Sequence, residues 1–586
     1  MPTSLVTGNS LLAIDVGAST TRAVLFDVIE GEYRFVASGV APSTVEAPFK
    51  DVSEGARNAI QSLQNILQKT LLDSTRSLIV PSQPNGTGVD SLVVTISAGP
   101  AIKTIVVGLL KDISLETARR LTESVYTKIM DTISLGDTRK PQQQIDSILR
   151  ARPDMVVIAG GTDGGASRSL QKLLDPIGLA SYLLPEEKRP AVLFAGNAKM
   201  ATEVQSLVGS FASSVHFSHN IRPSLDVEDL DPAGLELAQM FINIRKKQLK
   251  GLDSLDLWAG GHTLPTSYAT GRMVRFLADV YGSKKGLLSV DLGSSAAAIA
   301  AGFAKKSVLK VFPQFGIGEY LTSLTAHTSL EDILRWCPLD IPTSVALDYL
   351  YQKALHPATI AATPEDLALA QAVATQSLFL AMQATQSDFP KDAAYIKQTL
   401  TPLFDPIIAG GSVLSDVSSP GRSLLLLLNS VQPVGISTVI LDQNNLMPML
   451  GAAASQNSIL PVQVIESGAF LSVGTVIAPV VSARYGQSIL KAKITYSTGA
   501  ESVVDLKYGF LETVPLATGE AARITIQVGR GVNIGFGSGR GVKNMSIAGG
   551  TLGIIFDGRG RPLDLPGDPV RRRELIKKWN WALGGG

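Results

Sequence analysis

One short pattern occurs twice in this chain and constrains its folding more than any other feature. Ile14-Asp15-Val16-Gly17-Ala18-Ser19-Thr20 and Val290-Asp291-Leu292-Gly293-Ser294-Ser295 each close an apolar run with an aspartate. Both turn on glycine and hydroxyl residues and then re-enter an apolar run, at residues 23–26 (AVLF) and 296–300 (AAAIA). Strand, small-residue turn and strand together predict a hairpin. Glycine in such a turn lets the backbone approach a ligand closely. Turn amides and hydroxyls then form a nest for phosphate oxygens. An aspartate at the strand end can orient water around Mg²⁺, which keeps several waters when bound beside phosphates. Either loop alone reads equally well as an ordinary β-turn. Two of them, followed by Ile407-Ile408-Ala409-Gly410-Gly411-Ser412, predict facing hairpins with a nucleotide held between two lobes.

The rest of the chain must supply those lobes. Its 586 residues suggest about three or four domains. A hydrophobic content of 45% is ample for several cores and excludes global disorder. Lysine plus arginine number 52 and aspartate plus glutamate 51, a net charge of +1, so no basic field for nucleic acid is expected. A single cysteine, Cys337, excludes an internal disulfide framework. The five histidines show no metal-ligand spacing; His216 and His219 form a pair without a third ligand. The apolar runs at 92–110, 286–304 and 424–428 are broken by Lys103 and Gly99-Pro100, by Asp291 and by Asn429. None reads as a membrane span. The first ten residues look like a loose tail without signal-peptide character, so a cytoplasmic protein is expected.

Periodicity fills in the elements. A third strand is expected at 33–40, and Asp51-Val-Ser-Glu54 reads as a capping box opening a helix with Ala56, Ile60, Leu63, Leu67 and Leu71 on one face. Strands are expected at 92–96 and 104–109. A helix from Ser114 would turn Leu115, Ala118, Leu121, Val125 and Ile129 inward. Buried strands at 155–159 and 191–194 end in Gly160-Gly161-Thr162-Asp163-Gly164-Gly165 and Gly196-Asn197. Thr363-Pro364-Glu365-Asp366 starts a helix with a cap, a first-turn proline and acids facing the dipole. From about residue 456 short β-rich runs alternate with glycines until a helix at 574–581.

The two hairpins and the later strand-Gly-Gly-Ser element together resemble the actin, Hsp70 and sugar-kinase superfamily. In that resemblance Asp15, Gly17, Ser19, Thr20, Thr21 and Arg22 fall on the first phosphate motif. Asp291, Gly293, Ser294 and Ser295 fall on the second, and Gly410, Gly411 and Ser412 on the adenosine motif. Gly451 with its alanines matches the helix that crosses between lobes. Residues 11–27, 97–109 (SAGPAIKTIVVGL), 156–165 (VVIAGGTDGG), 192–197 (VLFAGN) and 287–302 narrow the likeness. They look like the MutL-type accessory proteins of coenzyme-B12-dependent glutamate (methylaspartate) mutase, over about residues 11–455.

The resemblance implies an α/β fold: a two-lobed actin-like (ribonuclease H-like) ATPase core with an inserted α/β segment and a C-terminal β-rich domain. The expected divisions are a first lobe at 11–150, the insertion at 151–285, a second lobe at 286–455 and the β-rich domain at 456–586. It also implies ATP with Mg²⁺ as cofactors, the metal held through water by Asp15 and Asp291. The implied role is a chaperone or reactivase acting on B12-dependent mutase subunits. The alternative is an actin-like scaffold that self-assembles into a homo-oligomer under nucleotide control.

One departure bears on catalysis. The family's second motif normally reads like VDIGGATTD, whereas Ala296, Ala297 and Ala298 stand here where two threonines and an aspartate are usual. Alanine can neither hold phosphate nor position water, so nucleotide binding with weak hydrolysis is expected. Arg22 replaces a common lysine, keeping the charge with a forked geometry. A small-molecule kinase of this fold is disfavoured by the same loss of an acid at position 298. Asp163 reads either as a ligand contact at a strand end or as a cap of the next helix. The glycine-rich stretch at 529–541 reads as β turns, and no GxxxxGK[ST] P-loop occurs. Arg559 and Arg561 read as a turn facing a partner or solvent. The basic, aromatic tail with Trp579 and Trp581 reads as a docked helix or as a surface for an acidic partner.

Overall fold

A computed structural model describes residues 9–165, 168–282, 284–397, 399, 401–415 and 419–585; most of the expected N-terminal tail lies outside them. The first hairpin forms as its pattern predicts: β1 (Leu11–Val16) pairs antiparallel with β2 (Thr20–Ile29), which pairs with β3 (Glu32–Pro42). The helix Val52–Leu67 covers this meander, capped by the Asp51 carboxylate on the Ser53 amide. Glu54 does not complete the expected box; it pairs with Arg57 and Arg76. Helix and strand meet at Gly39, where a Cβ would come within 2.3 Å of both Ala59 O and Leu63 N. Gly39→Ala is therefore expected to cost about 1–3 kcal/mol by overpacking, read as a lowered urea midpoint at unchanged m-value.

β4 (Ser91–Ile96) then runs parallel to β1. The chain next leaves this sheet. β5 (Ile102–Gly108), β6 (Thr127–Ile133), β7 (Met155–Ala159), β8 (Ala191–Phe194) and β9 (Ser214–Phe217) form an all-parallel sheet in the order β6-β5-β7-β8-β9. The inserted segment thus begins at Ile102 rather than 151. The helix expected from Ser114 also ends early: a helix spans Glu116–Thr122, and Ile129 lies in β6. There β-branched Val125, Thr127 and Ile129 favour the extended chain, and β5 supplies the ladder. β10 (Thr263–Pro265) returns to the first sheet beside β4.

The second lobe repeats the plan. β11 (Gly286–Leu292), β12 (Ala297–Phe303) and β13 (Lys306–Phe312) form the meander, and β14 (Phe404–Gly410) and β15 (Gly435–Leu441) follow parallel to β11. The sheet does not stop at residue 455. β16 (Leu471–Ala478) joins β15; after β17 (Ser488–Tyr496) and β18 (Glu501–Lys507), β19 (Leu511–Val514) extends the same sheet. β20 (Ala521–Val528) and β21 (Val542–Ala548) leave it again, and β22 (Ile554–Asp557) closes the gap between β16 and β19. Among the described residues after 455, β18-β17-β20-β21 stand as a separate sheet. The C-terminal region is therefore an extension of the second lobe carrying one antiparallel sheet, and it includes a helix at Ile459–Glu466 that periodicity did not reveal.

Between the lobes lie the helices Thr266–Tyr281 and Leu446–Ala453, in one core with Leu11, Ala13 and Val24 of the first lobe and Leu287, Ala300 and Ile408 of the second. A Cβ on Gly451 would sit 2.0 Å from Ala269 O, so glycine sets their approach. An ionic bridge ties the insertion to the second lobe: Lys310 reaches Asp388 at 2.7 Å and Glu123 at 3.2 Å, and Arg120 reaches Asp388 at 3.1 Å. Among the described residues one helical stretch, Pro364–Asp388, is long and apolar enough to cross a membrane, and 61% of its apolar window is buried inside the protein. The two-lobed actin-like α/β core is the architecture observed.

Candidate functional site in the interlobe cleft

The two hairpins are geometric counterparts. Gly17 N donates to Thr20 O and Gly293 N to Ala296 O, each at 3.0 Å. In the ladders Asp15 stands between Arg22 and Thr95, and Asp291 between Ala298 and Gly410. The hairpins face one another closely enough for the Ser19 and Ser294 hydroxyls to share a hydrogen bond of 2.6 Å. The Ser295 hydroxyl donates to Ser97 O across the same gap at 3.2 Å. A cavity of about 150 Å³ opens beside them. Its lining includes Asp15, Gly17, Ser19, Thr20, Arg22, Asp291, Gly293, Ser294, Ser295, Gly411 and Ser412.

Two expected site residues sit elsewhere. Thr21 is fully buried with its hydroxyl against Gly55 and no hydrogen-bond partner. Side chains alternate along β2, so Thr20 and Arg22 face the cleft and Thr21 points under the helix Val52–Leu67. Gly410 does not line the cavity; it lies behind Asp291, where a Cβ would come 3.4 Å from the carboxylate. Gly411, at φ +86°, carries the chain under the second hairpin, where a Cβ would meet Leu292 O at 2.5 Å.

The two aspartates differ in support. Asp15 accepts hydrogen bonds from Thr95 (2.6 Å), Thr266 (3.0 Å) and Asn445 (2.8 Å). Burial still raises its pKa against these bonds and the Arg22 charge. Asp291 has no hydrogen-bond or ion-pair partner among the described residues, although its carboxylate reaches the cleft. Burial, then the charges of Asp15 and Asp442, push it up to about 7. Asp442, just after β15, belongs to none of the motifs in the sequence. It accepts from Leu446 N and Met447 N at the start of the interlobe helix, and burial raises it to about 6. Arg22 lies among these acids, donating to Gln443 O at 2.6 Å; burial lowers its pKa while Asp15 and Asp442 raise it. A strand-end rule for parallel sheets would have found both Asp442 and Thr266.

These residues suit a hydrated cation. Among the described residues no three acidic, histidine or cysteine side chains converge as a direct cage. Two carboxylates at the cleft, one without a donor, fit a Mg²⁺ that keeps its waters and is shared with phosphates. Other motifs lie apart. The Asp163 carboxylate accepts from Asn220 Nδ2 at 2.9 Å, outside the cavity. His216 lies 3.9 Å from Glu236. Arg559 and Arg561 are buried on Asp557 rather than facing solvent or a partner. Trp579 is buried while Trp581 is exposed.

A two-lobed α/β core with matching Asp-Gly hairpins on either side of one cleft defines an actin-like ATPase-fold protein. Within that class the chain belongs to the MutL protein family, whose model matches residues 11–468. Protein MutL of Clostridium tetanomorphum is 23% identical over 290 residues, covering 49% of this chain and 56% of that protein, so the match spans little more than half of the relative. Among solved structures, component A of (R)-2-hydroxyglutaryl-CoA dehydratase from Acidaminococcus fermentans is 9% identical. That likeness covers 76% of this chain and 97% of that one, with a TM-score of 0.24. A glycerol dehydratase reactivase is 13% identical, covering 71% and 94%, with a TM-score of 0.27. Xylulose kinase from Bifidobacterium adolescentis is 11% identical, covering 77% and 94%, at 0.26. With scores this low, the reading of the site rests on the chain's own residues.

Proposed function

We propose that the cleft binds ATP with Mg²⁺ and that the protein is an accessory chaperone or reactivase of a B12-dependent mutase. The observation that carries the nucleotide reading is the pairing of equivalent hairpins, with Asp15 and Asp291 at matching strand ends and Ser19 on Ser294 at 2.6 Å. Gly17, Thr20, Arg22, Gly293 and Ser295 complete the phosphate contacts, and Gly411 and Ser412 approach the nucleoside. The Ser19–Ser294 bond occupies the space a phosphate needs, so binding must part the hairpins. Nucleotide state and lobe separation are then one equilibrium, and a partner that prefers one separation senses the nucleotide.

Hydrolysis is weak in this reading because Ala298 stands opposite Asp291, where Arg22 stands opposite Asp15. No charged or hydroxyl side chain fills that position to orient water. The expected result is saturable Mg²⁺-dependent ATP binding by calorimetry, with turnover slower than about one per minute, well under the ordinary enzyme range. Turnover at an ordinary ATPase rate would overturn the hydrolysis claim, and absence of ATP binding would overturn the reading of the cleft. Co-purification with mutase subunits tests the partner. Sedimentation with and without ATP tests the scaffold alternative, which requires nucleotide-dependent assembly.

A further inference from the structure

Arg245, in the helix Asp231–Gln248, is fully buried, and it has no acidic partner among the described residues. Its Nη1 donates to Gln248 Oε1 at 2.6 Å, while Nε and Nη2 have no acceptor. Burial lowers its pKa to about 10, which still leaves it charged at neutral pH. A buried cation in this state is costly: each orphaned donor loses its water, and the Asp154 charge acts on it without forming an ion pair. Two rings are what the guanidinium touches, Phe241 at 4.9 Å and Tyr126 at 5.8 Å from their centroids.

Both rings line the interlobe cavity. Arg245 therefore sits one side chain behind the cavity wall. Tyr126 is itself buried, with the Tyr320 and Glu319 groups acting on its hydroxyl, and that hydroxyl forms no hydrogen bond among the described residues. The guanidinium also lies against Gly99, whose φ of +94° and missing side chain make room, since a Cβ there would fall 2.9 Å from Nη1. The backbone is thus shaped around a cation that forms no ion pair among the described residues, and two kinds of unused donor flank one wall of a cavity.

We propose that this wall is a second anion subsite, separate from the hairpins, that takes a small carboxylate or phosphate group. Arg245 is its cationic anchor and the Tyr126 hydroxyl its second donor. The Tyr126 ring swings aside to admit the anion, and Nε and Nη2 of Arg245 donate to its two oxygens in the forked geometry that guanidinium offers. The apolar remainder of the wall, with Phe241, Val311 and Leu309, excludes water and strengthens the pair.

The test uses the full chain, with acetate and inorganic phosphate titrated separately by calorimetry and thermal shift, in the wild type and in Arg245→Met, Arg245→Lys and Tyr126→Phe. At least one probe should bind the wild type saturably and raise its melting temperature, and the probe whose binding is weakened by Arg245→Met identifies the anion class of this wall. Arg245→Met should weaken that binding about tenfold or more while leaving the ligand-free melting temperature equal or higher, because an unneutralised buried charge is exchanged for an apolar chain. Arg245→Lys should weaken binding less than Met, and Tyr126→Phe by about threefold to tenfold, one hydrogen bond's share. The proposal is overturned if neither anion binds saturably. It is equally overturned if Arg245→Met binds as the wild type does, or if its ligand-free melting temperature drops or it fails to fold, which would make Arg245 a structural cation. ATP affinity, measured in the two Arg245 variants, whose side chain does not line the cavity, should be unchanged, so failure of this subsite is distinguishable from failure of the nucleotide reading.

Discussion

Asp557→Ala is expected to cost about 3–5 kcal/mol of folding stability, the penalty for removing one partner from a buried ionic cluster. Asp557, Arg559 and Arg561 are 0%, 2% and 5% exposed. Arg559 grips the carboxylate with both Nε (2.8 Å) and Nη2 (2.9 Å), and Arg561 Nη2 binds its second oxygen. The remaining donors reach further into the protein. Arg559 Nη1 bonds Asn429 at 2.7 Å, Arg561 Nε bonds Pro433 O at 3.0 Å, and the Arg559 guanidinium lies 4.8 Å from the Trp579 ring centroid. One carboxylate thus pins the end of β22 to the helix Pro420–Ser430 and to the terminal helix Pro569–Ala582. Alanine would leave two buried guanidinium groups facing each other with no anion. Asp557→Asn should lose most of the same energy, because an amide has one acceptor oxygen for three charged donors. Arg573→Ala is the control: its partner Asp340 is 82% exposed, and the change should stay within about 1 kcal/mol. Thermal unfolding of the three variants checks this, and an Asp557→Ala protein melting with the wild type would refute it.

The pH dependence of the same cluster has a definite sign. Burial alone would raise the Asp557 pKa, but the charges of Arg559 and Arg561 outweigh it and hold the carboxyl well below the usual carboxylate range. Its contribution is therefore fully present above the unfolded value near ~3.9 and lost as pH falls below that toward the folded value. The acid limb of the stability curve should be shallower in Asp557→Ala.

The Asp557 cluster also shows where reading from sequence runs out. The sequence pattern of Asp557-Gly558-Arg559-Gly560-Arg561 is that of an exposed charged turn; only the distant Asn429 and Trp579 make it a core. The hairpins were legible because their signal is local: a strand end, a glycine and a hydroxyl within seven residues fix both the turn and its chemistry. Thr21 shows the limit of even that signal, since a motif match does not say which face of β2 a hydroxyl takes, whereas alternation from Arg22 does. Sheet boundaries follow from a different kind of information. Composition changes near residue 456, but β16 still completes its hydrogen bonds on β15, and sheet membership is decided by pairing rather than by composition. Arg245 carries no sequence signal at all, being an ordinary basic residue in the last turn of a helix that ends in Arg245-Lys246-Lys247-Gln248.

Asp291→Asn should reverse the usual effect of a site mutation, making the nucleotide-free protein more stable while weakening Mg²⁺-nucleotide binding by about tenfold or more, the scale of a lost charge-assisted contact. The carboxyl is raised to about 7 by burial and by the charges of Asp15 and Asp442, against about 3.9 in the unfolded chain. Between those values the folded protein holds a proton that the unfolded chain has released. Stability therefore falls as pH rises from about 4 to about 7 and levels off above, where Asp291 is ionised at a cost. Asparagine keeps the shape and never ionises, so above pH ~7 it should gain about 1–3 kcal/mol, less than the full shift because the carboxylate meets the open cleft. Its stability curve should lack that decline. The same cost is what a cation relieves. A hydrated Mg²⁺ at the cleft favours the ionised carboxylate, so wild-type affinity for Mg²⁺-nucleotide should climb with pH between about 6 and 8 as the proton is displaced. In Asp291→Asn the affinity should be lower and flat across that range. Equal affinities with parallel pH profiles would show that the cation does not depend on Asp291, and an unchanged melting temperature would show that its carboxyl is not held at a cost. Asp15 is the contrast, because Thr95, Thr266 and Asn445 already satisfy its carboxylate. Burial raises the Asp15 pKa too, but asparagine there leaves one acceptor oxygen for three donors, so Asp15→Asn should weaken nucleotide binding without the stability gain of Asp291→Asn.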